Sequence, residues 1–230
     1  MALLDLKIWH FTSGHSSYYK SLVISHTSIQ GMIFMMQVEP VTLTGHIVRL
    51  EPLQMRHAAE LYDVSSDPAI WTYFTVLPPA SVADMEQIIA IAVQCQEAGE
   101  CLPFAIVDRA QDRIVGSTRL YNFFAQDRGL EIGWTWLTPS AQRTGINTEC
   151  KYLLLCHAFE TLGAIRVQLR AHHQNIKSQR AIERLGAVKE GTLRNHAITP
   201  DGTYRHRVYF SIIESEWPQV KAGLETKMQR

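Results

Sequence analysis

What the chain has little of narrows it first. It carries four cysteines in 230 residues, Cys95, Cys101, Cys150 and Cys156. No two form a C-x-x-C pair and the spacings match no zinc knuckle, so a structural zinc site and a disulfide-built scaffold are excluded. Free thiols point to a reducing compartment. There is no surplus of charge, with 22 Lys+Arg against 22 Asp+Glu, and so no global basic field for nucleic acid. Basic–aromatic interleaving of the RNA-binding kind is also missing. No apolar run approaches the ~20 residues that span a bilayer. The N-terminus lacks a secretory pattern: Lys7 is followed by His10, Ser13 and His15 rather than an apolar core and a cleavage site. A cytoplasmic protein with no membrane or nucleic-acid partner is expected. Neither G-x-x-x-x-G-K-[ST] nor G-x-G-x-x-G occurs, so the common nucleotide loops are excluded too.

What is present is an ordinary globular balance of 46% hydrophobic and 19% charged residues. The stretch 1–36 stands apart. Phe11 to Tyr19 is rich in Ser, Tyr and His without period, and regular pattern begins near Val38. Residues 1–36 therefore read as an N-terminal extension, either a flexible arm or a stretch upstream of a translation start at Met35 or Met36. Residues 37–230 read as one domain.

Within it, His46 to Leu50 alternates as a strand and Met55 to Val64 has helical spacing. Asp67 or Ser66 offers a cap for a short helix through Trp71, and Ser81 opens a longer helix that Gly99 ends. Strands are expected at Pro103 to Val107, Arg113 to Leu120, and Leu130 to Leu137, the last with Ile132, Trp134 and Trp136 on one face. A helix follows from Ile146, ending at Gly163. Ile165 to Arg170 alternates strictly. A short helix from Ser178 to Leu185 stops at Gly186, strands cover Ala187 to Glu190 and Tyr204 to Ile212, and Ser215 caps a last helix. Hairpins together with crossovers imply an α/β (α+β) chain with a mixed sheet.

The most informative stretch is Leu130 to Thr148, in which a strand runs through a short turn into a helix. The first turn of a helix leaves backbone N–H groups unpaired, and the helix dipole adds positive potential there, which makes an anion site. Gly145 removes a side chain that would hold an anion away, and Gln142 and Arg143 add donors.

This turn resembles the Q/R-x-x-G-x-G/A signature of the GNAT superfamily of acetyl-CoA-dependent N-acetyltransferases. Gln142, Gly145 and Asn147 stand at its defined positions, with Asn147 departing from the small residue of the pattern. The segment Asn175 to Ala187, with Glu190-Gly191 and Arg205 to Tyr209, is similar to the branch that acetylates ribosomal-protein N-termini. The resemblance covers Thr42 to Trp217. It implies a GNAT-like acyl-CoA N-acyltransferase fold, with a mixed twisted sheet splayed at its centre and helices on both faces. It also implies acetyl-CoA as co-substrate, no metal, and direct transfer to a primary amine, either a protein N-terminus or a small molecule. Residues expected on the cofactor are Trp136 and Leu137 of the central strand, the turn Gln142, Arg143, Thr144, Gly145, Ile146 and Asn147, and Asn175. A homodimer is compatible with the pattern. Rival readings are a non-catalytic acyl-CoA sensor and a nucleic-acid module.

An amine with a pKa near 10 must lose a proton before it attacks, at about 1.4 kcal/mol per pH unit. Glu131, on the strand leading to the turn, is the candidate base, against the alternative of a hydrogen-bond anchor. Ser178 is the candidate donor to the departing thiolate, against helix capping. Asn175 serves either the pantetheine or its own turn. Gly133 permits either a bulge and close ligand approach or tight packing. His172 and His173, adjacent on an extended segment, should point apart. His196, Arg205, His206 and Arg207 line an acceptor cleft or form a solvated strand face.

Overall fold

The computed structural model describes residue 36, residues 38–199 and residues 202–229. The expected N-terminal extension lies outside the described residues except for its last member, Met36, which is buried in the larger core. The turn that the sequence places between its last two strands, Pro200-Asp201-Gly202, lies mostly outside them as well.

Eight strands form one sheet in the order β1-β2-β3-β4-β5-β6-β8-β7. They are β1 (Leu43–Thr44), β2 (Val48–Pro52), β3 (Cys101–Asp108), β4 (Arg113–Phe124), β5 (Gly129–Leu137), β6 (Arg166–His172), β7 (Val188–Ile198) and β8 (Tyr204–Ile213). The pair β5–β6 is parallel, and every other pairing is antiparallel. β4 and β7 run past their expected ends at Leu120 and Glu190. The hairpin of β7 and β8 joins the sheet through its second strand, so β8 stands between β6 and β7.

Each sheet face has its own core. On one, α1 (Ala58–Val64) and α2 (Val82–Glu97) bury Leu61, Met85, Ile89 and Ala92 against Ala105, Val107 and Trp136. On the other, α3 (Ile146–Cys156), α4 (Ile176–Leu185) and α5 (Trp217–Met228) cover Leu120, Leu130, Val167, Leu169 and Phe210. Each large apolar side chain fully withdrawn from water contributes about 1.5–3 kcal/mol, and Phe104, Phe210, Leu50 and Leu154 are among those buried completely.

Local chemistry sets the boundaries. The Ser81 hydroxyl accepts from the Asp84 N–H at 3.2 Å and starts α2, while Gly99 leaves it at φ +71°. Asp67 caps the short turn Pro68–Ile70 by accepting from Ala69 N at 2.9 Å. Gly186, at φ +102°, ends α4. Two expected caps are corrected. α4 begins at Ile176, with Asn175 as its cap, and not at Ser178. α5 begins at Trp217, with Glu216 rather than Ser215 at the cap position and no side-chain cap bond.

Candidate active site

The cleft is opened by the sheet itself. β5 and β6 are paired only from Gly129–Arg166 to Ile132–Leu169. Beyond that point each strand continues without the other, so the sheet splays. A bulge in β5 lies at the same place. Arg119 pairs with Gly133 and Ser117 with Trp136, leaving Trp134 and Thr135 opposite the single residue Thr118. Trp134 takes φ +52°, the left-handed region that a bulky residue rarely enters. The bulge also breaks the alternation, which corrects the expected common face. Ile132 packs in the α3-side core, whereas Trp136 packs against Trp71 at 5.7 Å and Trp134 against Phe74 at 5.8 Å on the other side. Gly133 answers to packing as well as to the bulge, because a Cβ there would lie 2.8 Å from the Tyr121 ring.

The resulting cleft has a volume of about 600 Å³ and runs between the ends of β5, β6 and β8 and the first turns of α3 and α4. At one end is the turn before α3. Gln142 donates to Leu137 O at 2.8 Å and accepts from the Lys177 ammonium, tying turn, strand and α4 together. Arg143 adopts φ +62°. Thr144 Oγ1 donates to Ala141 O at 2.7 Å and accepts from Ile146 N at 3.2 Å. Among the described residues, no protein acceptor takes the N–H of Arg143, Thr144, Gly145, Asn147 or Thr148. The helix start is thus open at five amides and closed at one, Ile146. Gln142, Arg143, Thr144, Asn147 and Thr148 line the cleft, as do Trp136 and Leu137. Gly145 and Ile146 stand behind them, and Ile146 is buried. A Cβ on Gly145 would meet the Ile47 side chain at 2.9 Å, so close packing is one reason for a glycine here, and its φ of −65° is open to any residue.

A residue that sequence reasoning missed holds this turn in place. The Glu149 carboxylate accepts the N–H groups of His46, Ile47 and Val48, each at 2.7 Å. A Cβ on Gly45 would fall 2.5 Å from its Cδ. The available signal was an acid on the buried stripe of α3, between Ile146 and Cys150.

At the other wall, Asn175 Oδ1 accepts from Ser178 N at 3.0 Å and caps α4. Capping therefore belongs to Asn175, and the Ser178 hydroxyl, on the cleft wall, has no protein partner among the described residues. Glu131 differs most from expectation. It is 0% exposed and absent from the cleft wall. Its carboxylate pairs with Arg170 Nε at 2.6 Å and accepts from Asn122 Nδ2 at 3.1 Å, Gln168 Nε2 at 3.2 Å and the Tyr121 hydroxyl. With four donors converging on it, it has the environment of an anchor rather than of a base. Burial, then the Glu131 charge, pushes the Tyr121 phenol well above its usual range, so it remains a donor.

Lys151, one turn beyond Asn147, also lines the cleft. It is buried and lacks a carboxylate partner among the described residues, its ammonium donating to Thr118 Oγ1 at 3.3 Å and to Thr135 Oγ1. Burial holds its pKa below the ordinary lysine range. Arg205 and Arg207 face the cleft, whereas His196 and His206 are absent from its walls. The His172 and His173 rings do not point apart but stack at 4.5 Å, because β6 ends between them and the chain turns. No group of three or more metal-ligating side chains occurs among the described residues, and none of their helices is long and apolar enough to cross a membrane.

Comparison with known proteins agrees with this geometry. Residues 48–188 match the family model described as an acetyltransferase (GNAT) domain. A GCN5-related N-acetyltransferase from Brucella melitensis superposes with a TM-score of 0.77 at 30% identity, over 83% of this chain and 86% of that one. YdaF of Bacillus subtilis, provisionally named a ribosomal N-acetyltransferase, is 33% identical over 104 residues, 45% of this chain and 56% of its own. Mycobacterium smegmatis RimJ, solved with CoA-disulfide, shares the fold with a TM-score of 0.73 at 22% identity, over 83% of this chain and 96% of that one.

Proposed function

Since the chain belongs to the GNAT acetyltransferase family, we propose that it transfers an acetyl group from acetyl-CoA to a primary amine. The supporting observation is the row of unpaired amides at the start of α3, opening onto the gap between β5 and β6. A diphosphate suits those donors and the positive end of the helix dipole. Arg143 and Lys177 are the cations beside them. The pantetheine arm, a chain of amides, suits the strand edges left without partners where the sheet splays, with Asn175 Nδ2 as a further donor. The fit is to the whole group, because the anionic and amide-bearing parts meet matching chemistry in sequence along one cleft.

On this reading the amine nitrogen attacks the thioester carbon. Negative charge develops on the carbonyl oxygen, the C–S bond breaks, and the leaving thiolate takes up the proton that the attacking nitrogen sheds, so that an amide and the free thiol of CoA result. A buried backbone N–H aimed at the developing oxyanion is worth about 3–4 kcal/mol, and the bulged stretch from Trp134 to Leu137 is where β5 turns amides out of the ladder. Ser178 donates to the departing sulfur. Among the described residues no cysteine lines the cleft, and burial pushes the Cys150 thiol up to about 11, which favours direct attack over an acyl-enzyme. Glu131 acts through Arg170 as a positioning residue. The amine then has to arrive already neutral, which favours an α-amine, near 8, over an alkyl amine near 10.

Calorimetric titration with acetyl-CoA, followed by thiol release across an amine panel, tests the proposal. Saturable acetyl-CoA binding and amine-dependent thiol release are expected. No binding would overturn it, and binding with no acceptor used would favour the sensor.

A further inference from the structure

The face of the cleft opposite α3 carries an unusual charge pattern. On β6 and β8 the residues Leu169, Ala171, Val208 and Phe210 point into the core under α3. The intervening residues point the other way, and the register places Arg170 opposite Tyr209 and His172 opposite Arg207, with Arg205 two residues further along β8. Arg170, His172, Arg205 and Arg207 all line the cleft. This strip is separated by the thickness of the sheet from the amides at the start of α3.

Three guanidiniums on the strip face one carboxylate, Glu131, which is held by Arg170. Neither Arg205 nor Arg207 has an ion pair among the described residues, and the Nε atom of each is buried without a hydrogen-bond partner. Burial, then the neighbouring Arg207 and Arg170, pulls Arg205 down to about 10. Burial, with Arg205 next, pushes His172 down to about 4, so it adds donors and acceptors here but no charge near neutral pH. Tyr73 closes over this end, its ring 5.1 Å from that of His172. Half-buried like charges without a counterion are unfavourable, and guanidinium forks match carboxylates and phosphates in geometry.

We propose that Arg205 and Arg207, with Arg170 behind them, form a subsite for an anionic group on the acceptor, so that the amine acetylated belongs to a molecule that also carries a carboxylate or phosphate. The inference rests on the acetyltransferase reading and names its substrate class. It also bears on proton loss. Cations around the acceptor amine disfavour its protonated form, so the subsite that holds the anion also releases the nucleophile. Polyamines and other cationic acceptors are disfavoured by the same charges.

The test reads binding and turnover separately in the full chain saturated with CoA or supplied with acetyl-CoA. Matched acceptors are glycine against glycinamide for the carboxylate, and phosphoethanolamine against ethanolamine for the phosphate, with spermidine as the cationic control. In calorimetry the anionic member of at least one pair is expected to bind ten-fold or more tighter than its neutral partner, and kcat/KM, referred to the neutral fraction of each amine, should follow the same order. The pair with the larger ratio identifies the group. In the Arg205→Gln/Arg207→Gln variant that ratio falls toward one, acetyl-CoA affinity stays within two-fold, and Tm does not drop, because a repulsion has been removed. Arg207→Gln alone gives an intermediate ratio and serves if the double variant folds poorly. Equal binding of both members of each pair, preference for spermidine, or a loss confined to acetyl-CoA affinity would overturn the subsite. Failure of acetyl-CoA itself to bind the wild type would instead overturn the acetyltransferase reading.

Discussion

At Glu131 four donors converge on a carboxylate that solvent does not reach. Breaking a buried charge pair by removing one partner costs about 3–5 kcal/mol, because the remaining charge is stranded. Glu131→Gln is therefore expected to lose about 3 kcal/mol in urea unfolding and to raise the acceptor KM through a misplaced Arg170. The acid limb of its kcat profile should stay where it is in the wild type, and a shifted limb would restore the base assignment. Lys151 is the converse, a buried cation solvated by two threonine hydroxyls. Its folded-state pKa is lowered, so the unfolded chain binds the extra proton and the penalty is complete below the folded pKa. The penalty shrinks by up to ~1.4 kcal/mol per pH unit as pH rises toward ~10.4. Lys151→Met is expected to be the more stable protein at pH 7 and to lose that advantage by pH 10.5, as urea titrations at both pH values would show. Neither environment was legible in the sequence. Strand alternation put Glu131 on a plausible face, but the donors around it come from β4 and β6, at separations that no local pattern reports.

At the level of elements, helix boundaries were legible where a side chain and a glycine mark both ends, as in α2 with Ser81 and Gly99. They were misplaced where two capping residues lie close together. Asn175 and Ser178 both cap well by type, and only their φ/ψ and the bond from Ser178 N to Asn175 Oδ1 distinguish them. The assignment separates their substitutions. Asn175→Ala should cost about 1 kcal/mol of stability through the lost cap. Ser178→Ala should leave Tm within a degree or two and lower kcat by roughly ten-fold or more, the scale of one lost hydrogen bond to a charged atom. Melting curves beside single-turnover rates check both, and a Ser178→Ala protein that melts early yet turns over normally would reverse the roles. The turn before α3 was legible as an anion site because unpaired amides follow from helix geometry alone. Glu149 escaped because an acid inside an apolar stripe has no partner visible nearby in the chain, and its partners lie about a hundred residues upstream.

For the molecule as a whole, the mixed sheet followed from hairpins occurring together with crossovers, and the helices on both faces from the resemblance to the GNAT superfamily. The insertion of β8 between β6 and β7 did not, since a hairpin can join a sheet edge by either arm and both orders bury the same alternating residues. The splay follows from the bulge at Trp134, which ends the parallel ladder after four residue pairs. That short ladder is the seam between a five-stranded half, β1 to β5, and a three-stranded half, β6 to β8. The halves are joined by few backbone bonds, so relative breathing of the two should be the lowest-energy collective motion of the domain. A molecule lodged in the gap would act as a splint, and hydrogen–deuterium exchange is expected to slow on both margins of the seam together, at 133–137 and 170–172, when acetyl-CoA is added. Slowing on one margin alone would mean that the halves were already locked.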